Sequence, residues 1–196
     1  DHPFALLFFD PRYQSTYKSW ARELMTAKNP HTGKSLADDP AVAMIEIANE
    51  DNFLFWTFKP GSHPPAAAMQ PLEEAFGRWL VGKHGSLEHA AEAWGGNAKA
   101  PTGDDFPQGR VALYDAGRLT NQEGAKASRN ERRASDQLQF LTEHLRGFYT
   151  DMAAYFRNEL KVRCAISATN WRTADQRTLG ALDKYTNLAC DVLDRH

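Results

Sequence analysis

The chain has 196 residues, 42% of them hydrophobic and 24% charged, the make-up of one ordinary globular domain rather than a disordered or fibrous chain. Its 23 basic and 25 acidic side chains nearly cancel, so no basic face marks a nucleic-acid partner. No apolar run approaches the roughly 20 residues that a bilayer-spanning helix needs, so no membrane partner is expected, and no signal peptide is visible, although the first residue is Asp1 rather than Met and the natural N-terminus is read as missing.

Residues 1–9 are apolar enough for a buried loop or a strand. Asp10-Pro11 then opens a helix, Asp10 as N-cap and Pro11 at the first helical position. Tyr13, Tyr17, Trp20, Ala21, Leu24 and Met25 recur at helical spacing to about Lys28, where Asn29-Pro30-His31-Thr32-Gly33 makes a tight turn. Asp38, Asp39 and Pro40 punctuate the start of the next run, residues 41–48, apolar apart from Glu46. A short apolar run bounded by turn residues reads as a strand buried on both faces, as in a parallel sheet. It ends in Asn49 and Glu50. Active sites of α/β folds lie at the carboxyl ends of strands, so Glu50 is the first candidate for chemistry; the alternative is a solvated strand end. Glu46 reads as a buried, hydrogen-bonded interior carboxylate.

Residues 51–134 differ in kind and read as an insertion. Phe53, Phe55, Trp56 and Phe58 follow Glu50 directly and fit either the wall of a site or packing under a long loop. Residues 59–65 form an irregular loop, 72–81 a helix with Leu72, Phe76, Trp79 and Leu80 inward, and Ser86 caps a short helix over 87–94. Residues 95–124 are loop-like, with a short extended piece at 110–114, and 130–133 are a solvated lead into the clearest helix of the chain, 135–160, whose apolar face runs from Leu138 to Leu160. Residues 162–169 are a second strand ending in Asn170 and Trp171; 173–185 a helix with Thr173 and Gln176 at capping-box spacing; 188–194 a third strand ending near Asp194, Arg195 and His196. Cys164 and Cys190 sit in short apolar segments and read as buried free thiols. His31, His63, His84, His89 and His144 read as solvent-facing.

Alternating helices and strands predict an α/β fold with a parallel sheet, helices outside, and strand ends meeting on one rim. Setting the insertion aside leaves about 110 residues, room for three or four βα units at roughly 30 residues each, against the eight of a closed barrel. The chain therefore reads as one partial (β/α)8 TIM-barrel domain over residues 1–196, carrying about strands four to six.

Asn49-Glu50 at a strand end, preceded by the helix, turn and strand of residues 17–48, resembles the acid/base strand of clan A glycoside hydrolases, of the cellulase-like (family 5-type) and β-galactosidase-like (family 42-type) kinds. His84-Gly85-Ser86-Leu87-Glu88 with Ala93-Trp94-Gly95 is similar to an insertion helix of β-galactosidase-like sequences, residues 162–171 to the next strand, and residues 191–196 to the one after, which often ends in a His near the sugar. The resemblance implies a retaining β-glycosidase acting on a carbohydrate without a cofactor or metal. Glu50 would be the general acid/base, Asn49 would bond the sugar 2-hydroxyl, Asn170, Trp171, His196 and Trp56 would contact substrate, and the nucleophilic Glu would lie on a strand beyond His196. It also suggests a secreted or periplasmic location. Two other readings stay open: a metal-dependent barrel hydrolase using Asp191, Asp194 and His196 with Glu50 as ligand, and a non-catalytic carbohydrate-binding barrel.

Overall fold

A computed structural model describes residues 4–95, 103–127 and 130–195. The chain is a mixed α/β protein in which helices α1 (Leu6–Phe9) to α8 surround a two-stranded parallel sheet.

Residues 6–9 form a helical turn, α1, rather than a strand or loop. Leu7, Phe8 and Phe9 are buried, and Phe8 meets Phe53, Phe148 and Tyr149 edge-on at 5.1 to 6.0 Å. Helix α2 (Pro11–Thr26) starts where Asp10 accepts hydrogen bonds from the backbone N–H groups of Arg12 and Tyr13, two donors that no helical carbonyl can reach. Only Ala21 and Met25 of its stripe are buried, while Trp20 is 55% exposed. The Tyr17 hydroxyl donates to the Ile47 carbonyl at 2.7 Å and holds the helix against the first strand.

That strand, β1 (Met44–Ala48), pairs in parallel with β2 (Ala165–Thr169), Glu46 opposite Ser167 and Ala48 opposite Thr169. Of the run expected to be buried on both faces, only Ile47 and Ala48 are; Met44 is exposed and Glu46 half-buried. One edge of β1 carries no partner strand among the described residues, so its first residues have nothing to bury against. The expected third strand over 188–194 is reduced to one parallel bridge, Val192 with Ser167, flanked by Asp191 and Val192 N–H groups that both donate to the Ile166 carbonyl. Its direction is the expected one.

Helices α3 (Ala66–His84) and α4 (Leu87–Ala93) hold Leu72, Phe76 and Leu80 inward, and Ser86 caps α4 by accepting from the His89 N–H. Two short helices, α5 (Ala116–Thr120) and α6 (Gln122–Ala127), occupy what reads as loop in the sequence. The long helix α7 (Glu131–Ala154) ends in a π turn, Tyr155–Glu159. It buries Leu141, Leu145, Phe148, Tyr149 and Met152 as its periodicity requires.

Asn130 and Arg133, read from the sequence as solvated, are 2% and 0% exposed. Arg133 packs on residues 111–114, which are buried in the core without regular secondary structure. A buried backbone must find hydrogen-bond partners somewhere: the Val111 N–H donates to the Glu73 carbonyl and the Ala112 N–H to Asp104 Oδ1, and α7 supplies others from its side chains. Gln137 both accepts from the Tyr114 N–H (2.7 Å) and donates to the Tyr114 carbonyl (2.8 Å). Arg133 donates to the Ala112 carbonyl (2.6 Å), while its guanidinium forks onto Asp104 with two 2.7 Å bonds and lies between the rings of Trp94 and Tyr114.

Helix α8 (Gln176–Asn187) is capped by Asp175, which accepts from the N–H groups of Arg177 and Thr178, and not by Thr173, whose hydroxyl donates to the Leu54 carbonyl. Two histidines read as solvent-facing are engaged: His84 with Asp136 at 2.8 Å, and His144 with the Phe8 carbonyl at 3.0 Å, where burial lowers its pKa. Cys164 and Cys190 are free thiols, each partly rather than fully buried.

Candidate active site at the ends of the two strands

The residues after β1 and β2 meet. Asn170 is the hinge of the contact: its side-chain carbonyl accepts from the Glu50 N–H at 3.1 Å, and its Nδ2 donates to Asn49 Oδ1 at 2.9 Å. Asn49, Glu50 and Asn170, singled out from the sequence as strand-end residues, are thus brought together. Glu50 adopts φ 48°, in the left-handed region. A non-glycine residue there costs on the order of 1–2 kcal/mol, and such outliers concentrate at functional sites. The amide of Asn170 is what compensates: it engages the backbone of Glu50 and the side chain of its neighbour at once.

The loops beyond are zipped together. The Ala174 N–H and Thr173 hydroxyl both donate to the Leu54 carbonyl (2.7 and 2.8 Å). Trp171 packs edge-on against Phe55, ring centroids 4.6 Å apart, so an aromatic pair borders the Asn49–Glu50–Asn170 cluster. Phe53 and Phe58 do not border it; both are fully buried core residues. Trp56 packs on Gly117 of α5, so close that an added Cβ there would lie 3.1 Å from its ring. His196 lies outside the described residues.

Beneath the cluster is a layer that the sequence reading missed. Asp51 Oδ2 accepts from the Ala5 N–H at 2.6 Å, and burial lifts its pKa to about 7 against the pull of that bond and of the Asn52 N–H. Asn52 is fully buried and donates to Asp183 Oδ1 of α8 at 2.8 Å. Burial also raises the Asp183 pKa, with Arg195 and Asn52 opposing. Arg195 Nη2 stands 3.1 Å from Asp183 Oδ2, near enough to pair the charges though not aligned as a hydrogen bond, and Arg195 Nη1 donates to the Thr169 carbonyl at 3.3 Å. One buried network therefore joins the ends of β1 and β2, the segment after Val192, and α8. The one signal available in the sequence was that Asn49-Glu50 continues as Asp51-Asn52, four polar residues in a row at a strand end.

The metal reading grouped Asp191 with Glu50, and the structure places these two apart. Asp191 Oδ2 accepts from the Ile166 N–H at 2.9 Å and pairs with Arg157. Ile166 is four residues before Asn170 in β2, about 13 Å along the strand, so Asp191 sits at the opposite end of the sheet from Glu50. Among the described residues no group of three or more His, Cys, Asp or Glu is placed to hold a metal ion.

A sizeable cavity lies elsewhere. It measures about 570 Å³, lies among α5–α8, and is lined by Leu119, Leu138, Leu182 and Tyr185 rather than by any of the strand-end residues. No protein-family model matches the chain, and neither a curated protein nor a solved structure does. Fold and site define a mixed α/β protein with a carboxylate-bearing strand-end cluster, and its function has to be argued from that cluster.

Proposed function

We propose that the chain is part of a retaining (β/α)8 glycoside hydrolase and that Glu50 is its general acid/base. The observation that carries this reading is the backbone of Glu50: a carboxylate residue at the carboxyl end of a parallel strand, in a left-handed conformation, pinned by the amide that ends the neighbouring strand. Strain kept at one acidic residue by a polar neighbour supports the reading of a positioned side chain. Asn49 is exposed beside it, bonded to Asn170 through its carbonyl oxygen, which leaves its NH2 to donate to a sugar hydroxyl.

Retaining hydrolysis uses two carboxyl groups about 5–5.5 Å apart. The acid protonates the glycosidic oxygen as the bond to the anomeric carbon breaks, the nucleophile forms a glycosyl ester, and the same residue, now a base, takes a proton from the water that cleaves the ester. In this proposal the nucleophile comes from a strand beyond residue 196, and further βα units cover the open edge of β1. Glu46 cannot serve: it lies four residues back in the strand, about 13 Å from Glu50.

The test is hydrolysis of aryl β-glycosides by the protein at its natural length and by Glu50→Gln. Loss of about 10²–10⁴-fold in kcat/KM on substrates with poor leaving groups is expected, with binding retained. Equal rates for the two proteins would end the assignment.

A further inference from the structure

We infer that the cavity among α5, α6, α7 and α8 is a binding site for a neutral, largely apolar small molecule that carries one hydrogen-bonding group. The cavity measures about 570 Å³, within the range that small-molecule sites occupy. None of the strand-end residues lines it, so the inference stands apart from the glycosidase reading. Two helix faces build it. Ala134, Leu138 and Thr142 follow one another at spacings of four along α7, and Thr178, Leu182 and Tyr185 at spacings of four and three along α8, so each set lies on one side of its helix. Leu119 of α5 joins them from the insertion.

The depth of the cavity separates a ligand site from a docking surface. Leu119, Ala134 and Thr142 line it yet are only 4%, 8% and 4% exposed. An occupant that touches them enters between the helices. A compact molecule does so, whereas the broad face of a folded partner lies across them. The walls are held from behind. Arg146 lies 4.3 Å from the centre of the Tyr185 ring and donates to the Tyr185 carbonyl. Trp79 Nε1 and Gln139 Nε2 donate to the two carboxylate oxygens of Glu143 at 2.7 and 2.8 Å.

Charge and hydrogen bonding set the class of ligand. The charged lining residues are Lys126, Glu131 and Glu143, two carboxylates against one ammonium, which disfavours an anion. A cation is disfavoured by the leucine lining, which offers nothing in place of its hydration. Thr142 is the polar exception at depth: its hydroxyl is buried and meets no partner among the described residues. Buried polar groups are nearly always paired, and one left alone is unfavourable. A ligand with a single N–H or O–H supplies the partner, since threonine in a helix has two ordinary χ1 rotamers with which to aim its oxygen.

The experiment is a fluorescence titration of the protein at its natural length with N-phenylnaphthylamine, a neutral aromatic amine with one N–H, and with its anionic relative, anilinonaphthalene sulfonate. The expected result is saturable one-to-one binding of the amine, about tenfold tighter than that of the sulfonate. Leu182→Glu puts a charge into the lining, and Ser135→Trp fills the cavity from an exposed position of α7 and leaves the packed side of that helix untouched. Each lowers affinity for the amine by about tenfold or more. Thr142→Val keeps the shape of the side chain, removes the hydroxyl, and lowers affinity about fivefold. No saturable binding by the natural-length protein, as when another segment fills the cavity, would overturn the site. So would binding of the amine that neither Leu182→Glu nor Ser135→Trp weakens. Sulfonate binding as tight as that of the amine would overturn the neutral class, and an unaltered affinity in Thr142→Val would overturn the hydrogen-bonding group.

Discussion

The strand-end cluster and the packed insertion solve the same problem in opposite ways. In both, chain segments far apart in sequence run side by side and must satisfy their polar groups. In the insertion, the buried segment 111–114 is served by α7: Arg133 and Gln137, one helical turn apart, act as the neighbouring strand that is missing. The Arg133 guanidinium there is fully buried between two rings and a carboxylate. At the ends of β1 and β2, in contrast, one half-buried asparagine holds an exposed asparagine and a strained glutamate. The first arrangement is built to stay closed; the second leaves Asn49 exposed and Glu50 and Asn170 half-buried. Stability and candidate chemistry are therefore held by different parts of one small molecule.

The sharpest way to break that contrast is at Arg133. Arg133→Ala strands Asp104, the Ala112 carbonyl and a large cavity in the core, and a loss of about 3–5 kcal/mol is expected from removing one partner of a buried pair. Chemical denaturation measures it, and a loss below 1 kcal/mol would mean that the insertion does not depend on this knot.

A smaller and pH-dependent effect is expected at Asp51, which belongs to the layer beneath the strand ends. Its folded pKa of about 7 lies above the ordinary 3.8, so the native state binds the proton more tightly than the unfolded chain does. Its contribution is favourable below about pH 4 and is lost as pH rises to 7, after which an ionised carboxylate stays buried at constant cost. Asp51→Asn keeps the oxygen that accepts from Ala5 and removes the charge. A gain of roughly 2–4 kcal/mol at pH 8 and none at pH 3 is expected. Denaturation curves at the two pH values check it; equal effects at both would show that ionisation is not what matters there.

The smallest change in stability belongs to Asn170→Ala. Two hydrogen bonds are lost at a partly solvated place, about 1 kcal/mol in all. The same substitution frees the Glu50 backbone from its left-handed turn, so under the proposed acid/base role of Glu50 glycoside hydrolysis should fall far more than stability does. Parallel losses in melting temperature and rate would place Asn170 with the merely structural residues.

How much of this was legible beforehand depends on how local each signal is. The Asp10 and Ser86 caps, the turn at 29–33, the two strands and the apolar face of the long helix are read off neighbours a few residues apart, and the structure has them all. Arg133 looked solvated because its partners, Asp104 and the Ala112 carbonyl, come from a segment with no periodicity of its own. Thr173 looked like a cap because its spacing to Gln176 fits; the nearer Asp175 takes the role, and Thr173 turns to Leu54, more than a hundred residues away in the chain. The third strand was read in the right place and direction, but one bridge is all that forms among the described residues. At the site, Asn49, Glu50 and Asn170 were identified as strand ends, and so was Arg195, though without its pairing to Asp183; Asp51, Asn52 and Asp183 were not, because a polar residue in a loop or helix gives no sign of being buried.

By itself the sequence determined the Asp10 and Ser86 caps, the two strands and the apolar face of the long helix, since capping, periodicity and turn chemistry act over one or two turns of chain. Only the tertiary structure decided which polar groups are withdrawn from water: the Asn52–Asp183 contact spans 131 positions and the Glu50–Asn170 contact 120. The physical reason is that burial belongs to the assembled molecule. A carboxylate or guanidinium reads the same in the sequence whether it faces solvent or a partner, and the free energy of placing it inside depends on a neighbour that only folding supplies.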